Sequence, residues 1–470
     1  MTLAKNSLVT LTCERLGADL EGVCRHEGMA VFVPGMLPGE TAQVRIVKVQ
    51  PRFAYGRMAS QPEIPSPQRR QPDCPAYPRC GGCTGRHMAY EATLEAKRQQ
   101  VADCFARIAH LPVDVPPVLG MQNPDHYRNK TALPLGGTAD RPQTGFFAPR
   151  SHALVPVDAC PNALGPSNAL CRIVLEWMRE HHVSPYVEEN HSGTLRHIVI
   201  RVSTSGEAMV TLVSRTARLP GTDGLWDRLC QAGCVSLWLN VNPDRTNVIF
   251  GKTFQRLNGQ EVLSAQLCGL TFRLSPASFF QVNPAQTEIL YGTALEFAGL
   301  SGHEHVFDLY CGAGTISLML ARHCRHVTGI EIVPEAIENA KENAVLNDIH
   351  NADFIAGAVE KELPRLVAAG QKPDVIVVDP PRKGLDPSVI EAIAQTGVNH
   401  IVYVSCNVST QARDAALFHS LGYGISALQS VDMFCWTSGV ETVLLMSQQK
   451  PDDTIQNRAE EIVRAELIHS

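Results

Sequence analysis

Residues 305–317 read HVFDLYCGAGTIS, an apolar run that leads through two glycines towards a helical pattern beginning near Leu318. An apolar strand that enters a glycine turn and then a helix opens many nucleotide-binding α/β folds. Glycines at 312 and 314 let the backbone of such a turn come close to a ligand. This stretch therefore predicts a strand, a ligand-binding turn and a helix, in that order.

The same pattern of apolar runs and helical segments extends through residues 286–450. Further apolar runs read HVTGIEI, PDVIVVDPP, HIVYVSCN and TVLLMS, and helical patterns separate several of them. Alternating strands and helices are typical of a parallel sheet covered by helices. We expect this region to form a doubly wound, Rossmann-like domain.

Two acidic residues end the first two strands of this region. Asp308 lies at the end of the first and is a candidate hydrogen-bond acceptor, and Glu331 ends the next, where an acid in dinucleotide folds binds ribose hydroxyls. The third glycine of a nicotinamide-binding G-x-G-x-x-G motif is absent, because position 317 is serine. The pattern favours S-adenosylmethionine, and Glu331 argues against a glycine turn that only joins a strand to a helix.

Three residues near later strand ends supply a reactive set. Asp379 ends VIVVD, Cys406 follows HIVYVS, and Glu441 precedes the last strand. Carbon 5 of uracil accepts a methyl group only after a thiolate has added to C6, and a base must then remove the C5 proton. Cys406 as nucleophile, Glu441 as base and Asp379 as the group that holds the pyrimidine edge predict uracil-C5 methylation. A lone cysteine here would more often be a small buried hydrophobe.

Two other methylations fit less well. Adenine amino methylation uses a similar Pro-Pro loop but prefers an aromatic residue after it, where this chain has Arg382. RNA cytosine-5 methylation usually places a second cysteine in the loop that holds Asp379, and this loop has none.

The N-terminal region, residues 1–62, has short β-type runs at 8–16, 29–35 and 41–49 separated by Gly and Pro turns. This pattern predicts a small five-stranded barrel. Residues 41–60 carry basic side chains and no acid, a stripe that suits phosphates or is simply a solvated strand face; its members are Arg45, Lys48, Arg52 and Arg57. A proline-rich link at 61–78 follows.

The middle region, residues 63–285, combines strand-like runs with a helical pattern at 89–109, which predicts an α+β domain. Cys74, Cys80 and Cys83 are spaced Cys-x5-Cys-Gly-Gly-Cys, which suits a metal ion or an iron–sulfur cluster. Spacing alone leaves a four-cysteine zinc site open. The polar tail, 451–470, suggests a short helix and no role.

Several motifs together resemble the bacterial RNA uracil-5-methyltransferases, above all the 23S ribosomal RNA enzymes. They are FFQVNPAQTEILY, FDLYCGAGT, GIEIVPEAIENAKENA, VVDPPRKG, YVSCN and VDMF…VET. The resemblance covers residues 5–447 and implies Cys406 as nucleophile and Glu441 as base. It implies cofactor contacts at the positions Gln281, Tyr310, Glu331 and Asp379.

The resemblance extends to the other two regions. The barrel is similar to the TRAM domain, an OB-like RNA-binding module. The cysteines resemble those of the ribosomal RNA subgroup, which carries a [4Fe–4S] cluster, and this implies Cys160 as fourth ligand. HYRNK at 126–130 also resembles the family, and its Arg128 and Lys130 are candidates for phosphate contacts or for ion pairs with acids. One departure is MFCWTSGVE at 433–441, where Cys435, Trp436 and Gly439 replace a proline and two histidines of the common pattern.

We therefore expect a 23S rRNA (uracil-C5)-methyltransferase. A transfer RNA methyltransferase and a non-catalytic RNA-binding factor are the alternatives. The net charge of −6 would not by itself suggest RNA. With no secretory signal or membrane-spanning run, we expect a cytoplasmic protein, and we expect a monomer without a protein partner.

Overall fold

The structure is a computed structural model that describes residues 3–449 of the chain. These residues fall into two units, the first with 3–101, 117–289 and 430–440, and the second with 102–116, 290–429 and 441–449. The tail at 451–470, with its expected helix, lies outside the described residues. Among the described helices, none has the length and apolar character needed to cross a membrane.

The first unit begins with the predicted barrel, which is closed and has five strands in the order β1-β2-β3-β5-β4. The strands are β1 Leu8–Leu16, β2 Gly22–His26, β3 Met29–Val33, β4 Thr41–Val49 and β5 Phe53–Met58. Side chains along β4 alternate between the buried core and solvent, so that Val44 and Ile46 face inwards while Arg45 is exposed. The expected barrel is confirmed, and β2 and β5 complete it.

The rest of the first unit is built on a seven-stranded sheet in the order β12-β11-β10-β9-β6-β7-β8, with a separate hairpin β13–β14. The strands are β6 Lys130–Gly137, β7 Pro142–Phe147, β8 Leu154–Pro156, β9 Leu195–Val202, β10 Ala208–Ser214, β11 Cys234–Val241, β12 Thr253–Gly259, β13 Leu263–Leu267 and β14 Leu270–Leu274. The helices are α1 Tyr90–Cys104, whose last three residues belong to the second unit, as does the π-helical turn Phe105–Ala109 that continues it, α2 Gly165–Glu180 and α3 Thr222–Gln231. One core cluster joins α2 to the sheet and includes Trp177, Leu170 and Ile198.

The second unit holds a seven-stranded sheet in the order β17-β16-β15-β18-β19-β21-β20. The strands are β15 His305–Leu309, β16 His326–Glu331, β17 Ala352–Ala356, β18 Val375–Val378, β19 His400–Ser405, β20 Tyr423–Val431 and β21 Glu441–Gln448. The helices are α4 Pro284–Ala298, whose first six residues belong to the first unit, α5 Thr315–Ala321, α6 Pro334–Leu346, α7 Val359–Ala368, α8 Pro387–Gln395 and α9 Val408–Ser420.

Strands β15 to β19 of this sheet are parallel, and β21 runs antiparallel to β19. The predicted Rossmann-like region is present. The helix after the glycine turn begins at Thr315, three residues before the expected start near Leu318. Gly314, at φ +81°, ends the turn at that point, and the helix follows at once.

Candidate active site

Three neighbouring strands of the second unit end at one edge of the sheet. Asp379 directly follows β18, and β18 is paired in parallel with β19. In the antiparallel β19–β21 pair, Ser405 lies opposite Thr442. Cys406 follows the last residue of β19 and Glu441 is the first residue of β21, so the antiparallel pairing puts both at the same edge of the sheet. The structure thus brings the three predicted reactive residues together.

The carboxyl groups at this edge hold their protons more strongly than free ones. Desolvation and then the charge of Glu441 raise the pKa of Asp379 to about 8. Burial raises the pKa of Glu441 to about 7, and Arg382 opposes that shift. The pair can therefore exchange protons near neutral pH, which suits acid–base work.

Both carboxyl groups act electrostatically on the Cys406 thiol. Burial raises its pKa, Glu441 and Asp379 raise it further, and Arg382 lowers it by charge and by a hydrogen bond. Cys406 also lies directly before Asn407, the N-cap of α9, whose Oδ1 accepts from the Ser409 amide at 3.2 Å. A helix N-terminus favours a negative charge, so it also supports the thiolate.

Arg382 is a residue of this site that the sequence analysis used only to exclude adenine methylation. Its guanidinium lowers the pKa of both Cys406 and Glu441. Its loop is tied to β19 by Asn407, whose Nδ2 donates to the Arg382 carbonyl at 2.9 Å. The sequence contains one indication of this role, since a basic residue follows the Pro-Pro pair. A cation beside a nucleophilic thiol stabilises the thiolate.

The glycine turn has the backbone geometry that the sequence predicted. Tyr310, Gly312 and Gly314 all have positive φ, at +71°, +55° and +81°. A Cβ at Gly312 would meet nothing within 4 Å, so the backbone there faces open space. Glu331 accepts from the Gly312 amide at 3.2 Å and from the Val333 amide at 2.9 Å, which fixes its carboxylate beside the turn.

Asp308 lies in β15, just before this turn, and is fully buried. Its Oδ2 accepts from the Ser317 hydroxyl at 2.5 Å, and burial raises its pKa to about 7. Tyr291 was not predicted, yet Asp379, Glu441 and Asp308 all help to raise the pKa of its phenol, after desolvation. The Tyr291 hydroxyl is therefore close to three carboxyl groups of the site.

Gln281, expected at the cofactor, lies in the first unit before α4. Its carbonyl accepts from Asn129 Nδ2 at 3.0 Å, and the amide of Asn129 donates to Val282 at 2.9 Å. These bonds hold the FFQVN segment against the start of β6.

Known proteins that are similar to this chain identify its family. The tRNA (uracil-5-)-methyltransferase family matches residues 89–449, most of the chain. The chain belongs to this family. The TRAM domain matches residues 5–59, which is the barrel.

Individual members of the family align over nearly their whole length. An uncharacterized RNA methyltransferase of Clostridium tetani is 43% identical over 94% of this chain and 97% of its own length. One from Halalkalibacterium halodurans is 44% identical over the same shares. The crystal structure of the Pyrococcus abyssi tRNA (uracil-54, C5)-methyltransferase in complex with S-adenosyl-L-homocysteine has a TM-score of 0.74 and 27% identity, and covers 93% of this chain and 99% of that one.

The four predicted metal ligands of this RNA methyltransferase lie in the first unit and are partly buried. After burial, Cys160 and Cys74 raise the pKa of Cys80, and Cys160 also raises that of Cys83. Two sulfurs accept hydrogen bonds at 3.3 Å, Cys80 from the Gly82 amide and Cys83 from Asn162 Nδ2. The thiols are thus within electrostatic reach of one another. Within residues 3–449, however, no three His, Cys, Asp or Glu side chains are close enough to hold a single metal ion.

The departures at 435 and 436 are accommodated in the first unit of the methyltransferase. Both side chains are buried, and Trp436 has φ +64°. The Trp436 ring lies 4.8 Å from the Arg70 guanidinium carbon and 5.1 Å from that of Arg86. Its indole N–H donates to Asp125 at 2.9 Å. Tryptophan therefore replaces the common residue with a packed, fully partnered side chain.

Proposed function

We propose that this family member transfers a methyl group from S-adenosylmethionine to C5 of a uridine in 23S ribosomal RNA. The observation that carries the proposal is the position of Cys406, Glu441 and Asp379 at the ends of three neighbouring strands. A protein that only bound RNA would have no need of this set.

Each reactive residue has one step in the proposed reaction. The Cys406 thiolate adds to C6 of the uracil, which makes C5 nucleophilic, and C5 takes the methyl group from the sulfonium. Glu441 removes the proton from C5. The electrons of that C–H bond reform the C5–C6 double bond, and the bond between C6 and Cys406 breaks to release the thiolate.

Asp379 is suited to hold the pyrimidine edge. With a pKa of about 8 it is mostly protonated at neutral pH, so one oxygen donates and the other accepts. The uracil edge offers the complementary pair, an N3–H donor and a carbonyl acceptor. A carboxylate in its place would accept only.

The methyl donor fits the second unit by charge and by shape. Its sulfonium is a cation, and Asp379, Glu441 and Asp308 lie close enough to shift the pKa of one another or of Tyr291. Glu331, fixed beside the open backbone at Gly312, is placed to accept from ribose hydroxyls. The Pyrococcus abyssi relative was solved with the demethylated product of this donor.

We further propose that Cys74, Cys80, Cys83 and Cys160 bind a [4Fe–4S] cluster. Cys160 interacts electrostatically with the other three thiols, and two N–H···S bonds suit a cluster because such bonds tune its sulfurs. A zinc ion would use the same four sulfurs, and the cluster is preferred because the cysteines resemble those of the ribosomal RNA subgroup. Protein that contains one zinc per chain and lacks iron, sulfide and visible absorption would refute the cluster.

Transfer RNA is the second candidate substrate. The match to the Pyrococcus abyssi tRNA enzyme favours it, since 93% coverage leaves less of this chain unmatched than the barrel occupies. The barrel therefore does not separate the two substrates, and the ribosomal proposal depends on the four cysteines and the resemblance of the motifs.

The deciding experiment follows labelled methyl groups from S-adenosylmethionine into unmodified 23S RNA and transfer RNA. We expect 5-methyluridine in 23S RNA, and none with Cys406→Ala. Label in transfer RNA alone would identify transfer RNA, and not 23S RNA, as the substrate. Cofactor binding without transfer to either RNA would favour a non-catalytic binding factor.

A further inference from the structure

Three basic side chains meet at the start of the sheet in the first unit. Lys130 opens β6 and pairs with Arg201 of the antiparallel strand β9, and Arg128 lies two residues before Lys130. Residues directly opposite in an antiparallel pair have Cβ atoms roughly 5 Å apart, and like charges there repel. We call these residues the cation cluster.

Within the described residues, the cation cluster is contacted by neutral groups. Arg201 is only 3% exposed, and its Nη2 donates to the Ser278 carbonyl at 2.6 Å. Its Nη1 is buried and finds no hydrogen-bond partner in the described part of the chain. Arg128 Nε donates to the Lys130 carbonyl at 3.2 Å, and the Lys130 ammonium lies 5.9 Å from the Phe250 ring centroid. Within residues 3–449, no carboxylate forms an ion pair with any of the three.

The pKa values of Lys130 and Arg201 are lowered, as expected for buried cations with no carboxylate nearby among the described residues. Burial, then Arg201 and Arg128, lower the pKa of Lys130 to about 8. Burial lowers the pKa of Arg201 to about 10. A carboxylate nearby would shift both in the opposite direction.

A fold gains nothing from such an arrangement by itself. A buried charge is costly unless it is paired, and a neutral side chain at position 130 would remove the repulsion across the strand pair. Arg128 and Lys130 remain partly exposed, so a ligand can reach the cluster from solvent. The unmet requirement is an anion with several acceptor oxygens, and a phosphodiester matches guanidinium and ammonium donors well.

We propose that Arg128, Lys130 and Arg201 bind a backbone phosphate of the RNA substrate. This inference rests on the proposed function for the identity of the ligand, since RNA is the polyanion that such an enzyme must hold. It also decides between the two uses that the sequence left open for Arg128 and Lys130, in favour of phosphate contact.

The test compares Lys130→Gln and Arg128→Gln with Lys372→Gln as a matched control. Lys372 is exposed and precedes β18, at the opposite end of that strand from Asp379. RNA binding is measured against salt concentration in the Cys406→Ala background, so that no turnover is needed. Losing one phosphate contact should reduce the slope of log K against log salt by roughly 0.7–0.9, with affinity about 3- to 10-fold weaker at low salt. The control should leave both unchanged.

A stability measurement separates binding from a structural role. In buffer without multivalent anions, Lys130→Gln should unfold at a higher temperature than the unaltered protein, because repulsion is removed. Inorganic phosphate should raise the unfolding temperature of the unaltered protein more than that of the variant. A lower unfolding temperature together with an unchanged salt slope would make Lys130 structural and overturn the proposal.

Two further outcomes identify the ligand. Weaker binding of S-adenosylmethionine by Lys130→Gln, with an unchanged salt slope, would assign the site to a carboxylate of the donor. Stabilisation by phosphate with an unchanged RNA slope would make it a small-anion site. If no uridine is methylated but the slope falls as expected, the proposed function fails and the phosphate site stands.

Discussion

Asp379 directly follows β18 and Glu441 opens β21, the strands on either side of β19, and the Glu441 charge adds to the desolvation that raises the pKa of Asp379 to about 8. A group whose pKa is higher in the folded protein stabilises it fully at low pH. That stability is lost as the pH rises from the ordinary value of 3.8 towards about 8.

Asp379→Asn should therefore unfold at a higher temperature than the unaltered protein at pH 9, with a smaller difference at pH 5. The amide cannot ionise, so the cost of a buried charge disappears. Thermal unfolding across this range measures the effect, with Asp353→Asn, an exposed acid on β17, as the control. A difference that is constant with pH would show that Asp379 titrates normally. Because the amide also offers one donor and one acceptor, it can still pair with the pyrimidine edge, so methyl transfer should fall less with this variant than with Asp379→Ala.

Glu441→Gln should form the methylated adduct but release it slowly. The amide cannot take the C5 proton, so the bond between Cys406 and C6 persists. Denaturing gels should reveal a protein–RNA band that contains the labelled methyl group and is absent with Cys406→Ala. Free methylated RNA without such a band would assign the base to another residue.

Arg382→Gln should make the Cys406 thiol less reactive at neutral pH. Removing the guanidinium takes away the group that lowers the thiol pKa, while burial, Glu441 and Asp379 continue to raise it. The alkylation rate of the Cys406 peptide, followed by mass spectrometry, should reach its half-maximum at a higher pH. Lys383→Gln is the control, since it removes the neighbouring cation while Arg382, which lowers the thiol pKa by charge and by a hydrogen bond, stays in place. Equal curves for the two variants would remove Arg382 from the site.

Gly314→Ala should mainly reduce stability, whereas Gly312→Ala should mainly reduce binding of the methyl donor. Both positions have positive φ, which costs a non-glycine residue about 1–2 kcal/mol. A Cβ at 314 would also lie 3.0 Å from the Ala340 Cβ and 3.2 Å from the Phe354 ring, so this variant should lose more stability. A Cβ at 312 points into open space and should instead weaken donor binding. Calorimetric titration with S-adenosylhomocysteine and urea unfolding separate the two. Equal losses of stability would contradict the packing difference.

Lys97→Met should destabilise the protein by about 3–5 kcal/mol, because it leaves the buried Asp432 carboxylate unpaired. Lys97 and Asp432 form a fully buried ion pair, and the Tyr90 hydroxyl also donates to Asp432 at 2.7 Å. Lys341→Met, which breaks an exposed pair with Glu338, should cost at most about 0.5 kcal/mol. Urea unfolding measures both. A loss below about 1 kcal/mol for Lys97→Met would mean that Asp432 finds another partner or a proton.

The local elements of this protein follow from its sequence. Short β-type runs between Gly and Pro turns predicted the barrel strands β1, β3 and β4, because strand-forming and turn-forming residues act locally. The strand, glycine turn and helix around Gly312 were predicted for the same reason. The edge strand β17 was missed, since only Phe354 of its five residues is buried and its pattern is weak.

Other features depend on residues far apart in the chain. Glu441 lies beside Cys406 only because β21 is inserted antiparallel next to β19, a pairing that no local pattern encodes. Segments 102–116 and 430–440 each belong to a different unit from their flanking residues. The sequence did not decide whether Arg128 and Lys130 contact phosphate or pair with acids. The structure places Arg201, a third cation, opposite Lys130.

The amino-acid sequence by itself thus determined most of the elements, their order and the methyltransferase family, since turn residues, strand-forming runs and motif chemistry are local. The tertiary structure alone decided which side chains share a site and what their pKa values are. Those properties depend on strand pairing and on the water excluded by packing, and both bring together residues that are distant in sequence.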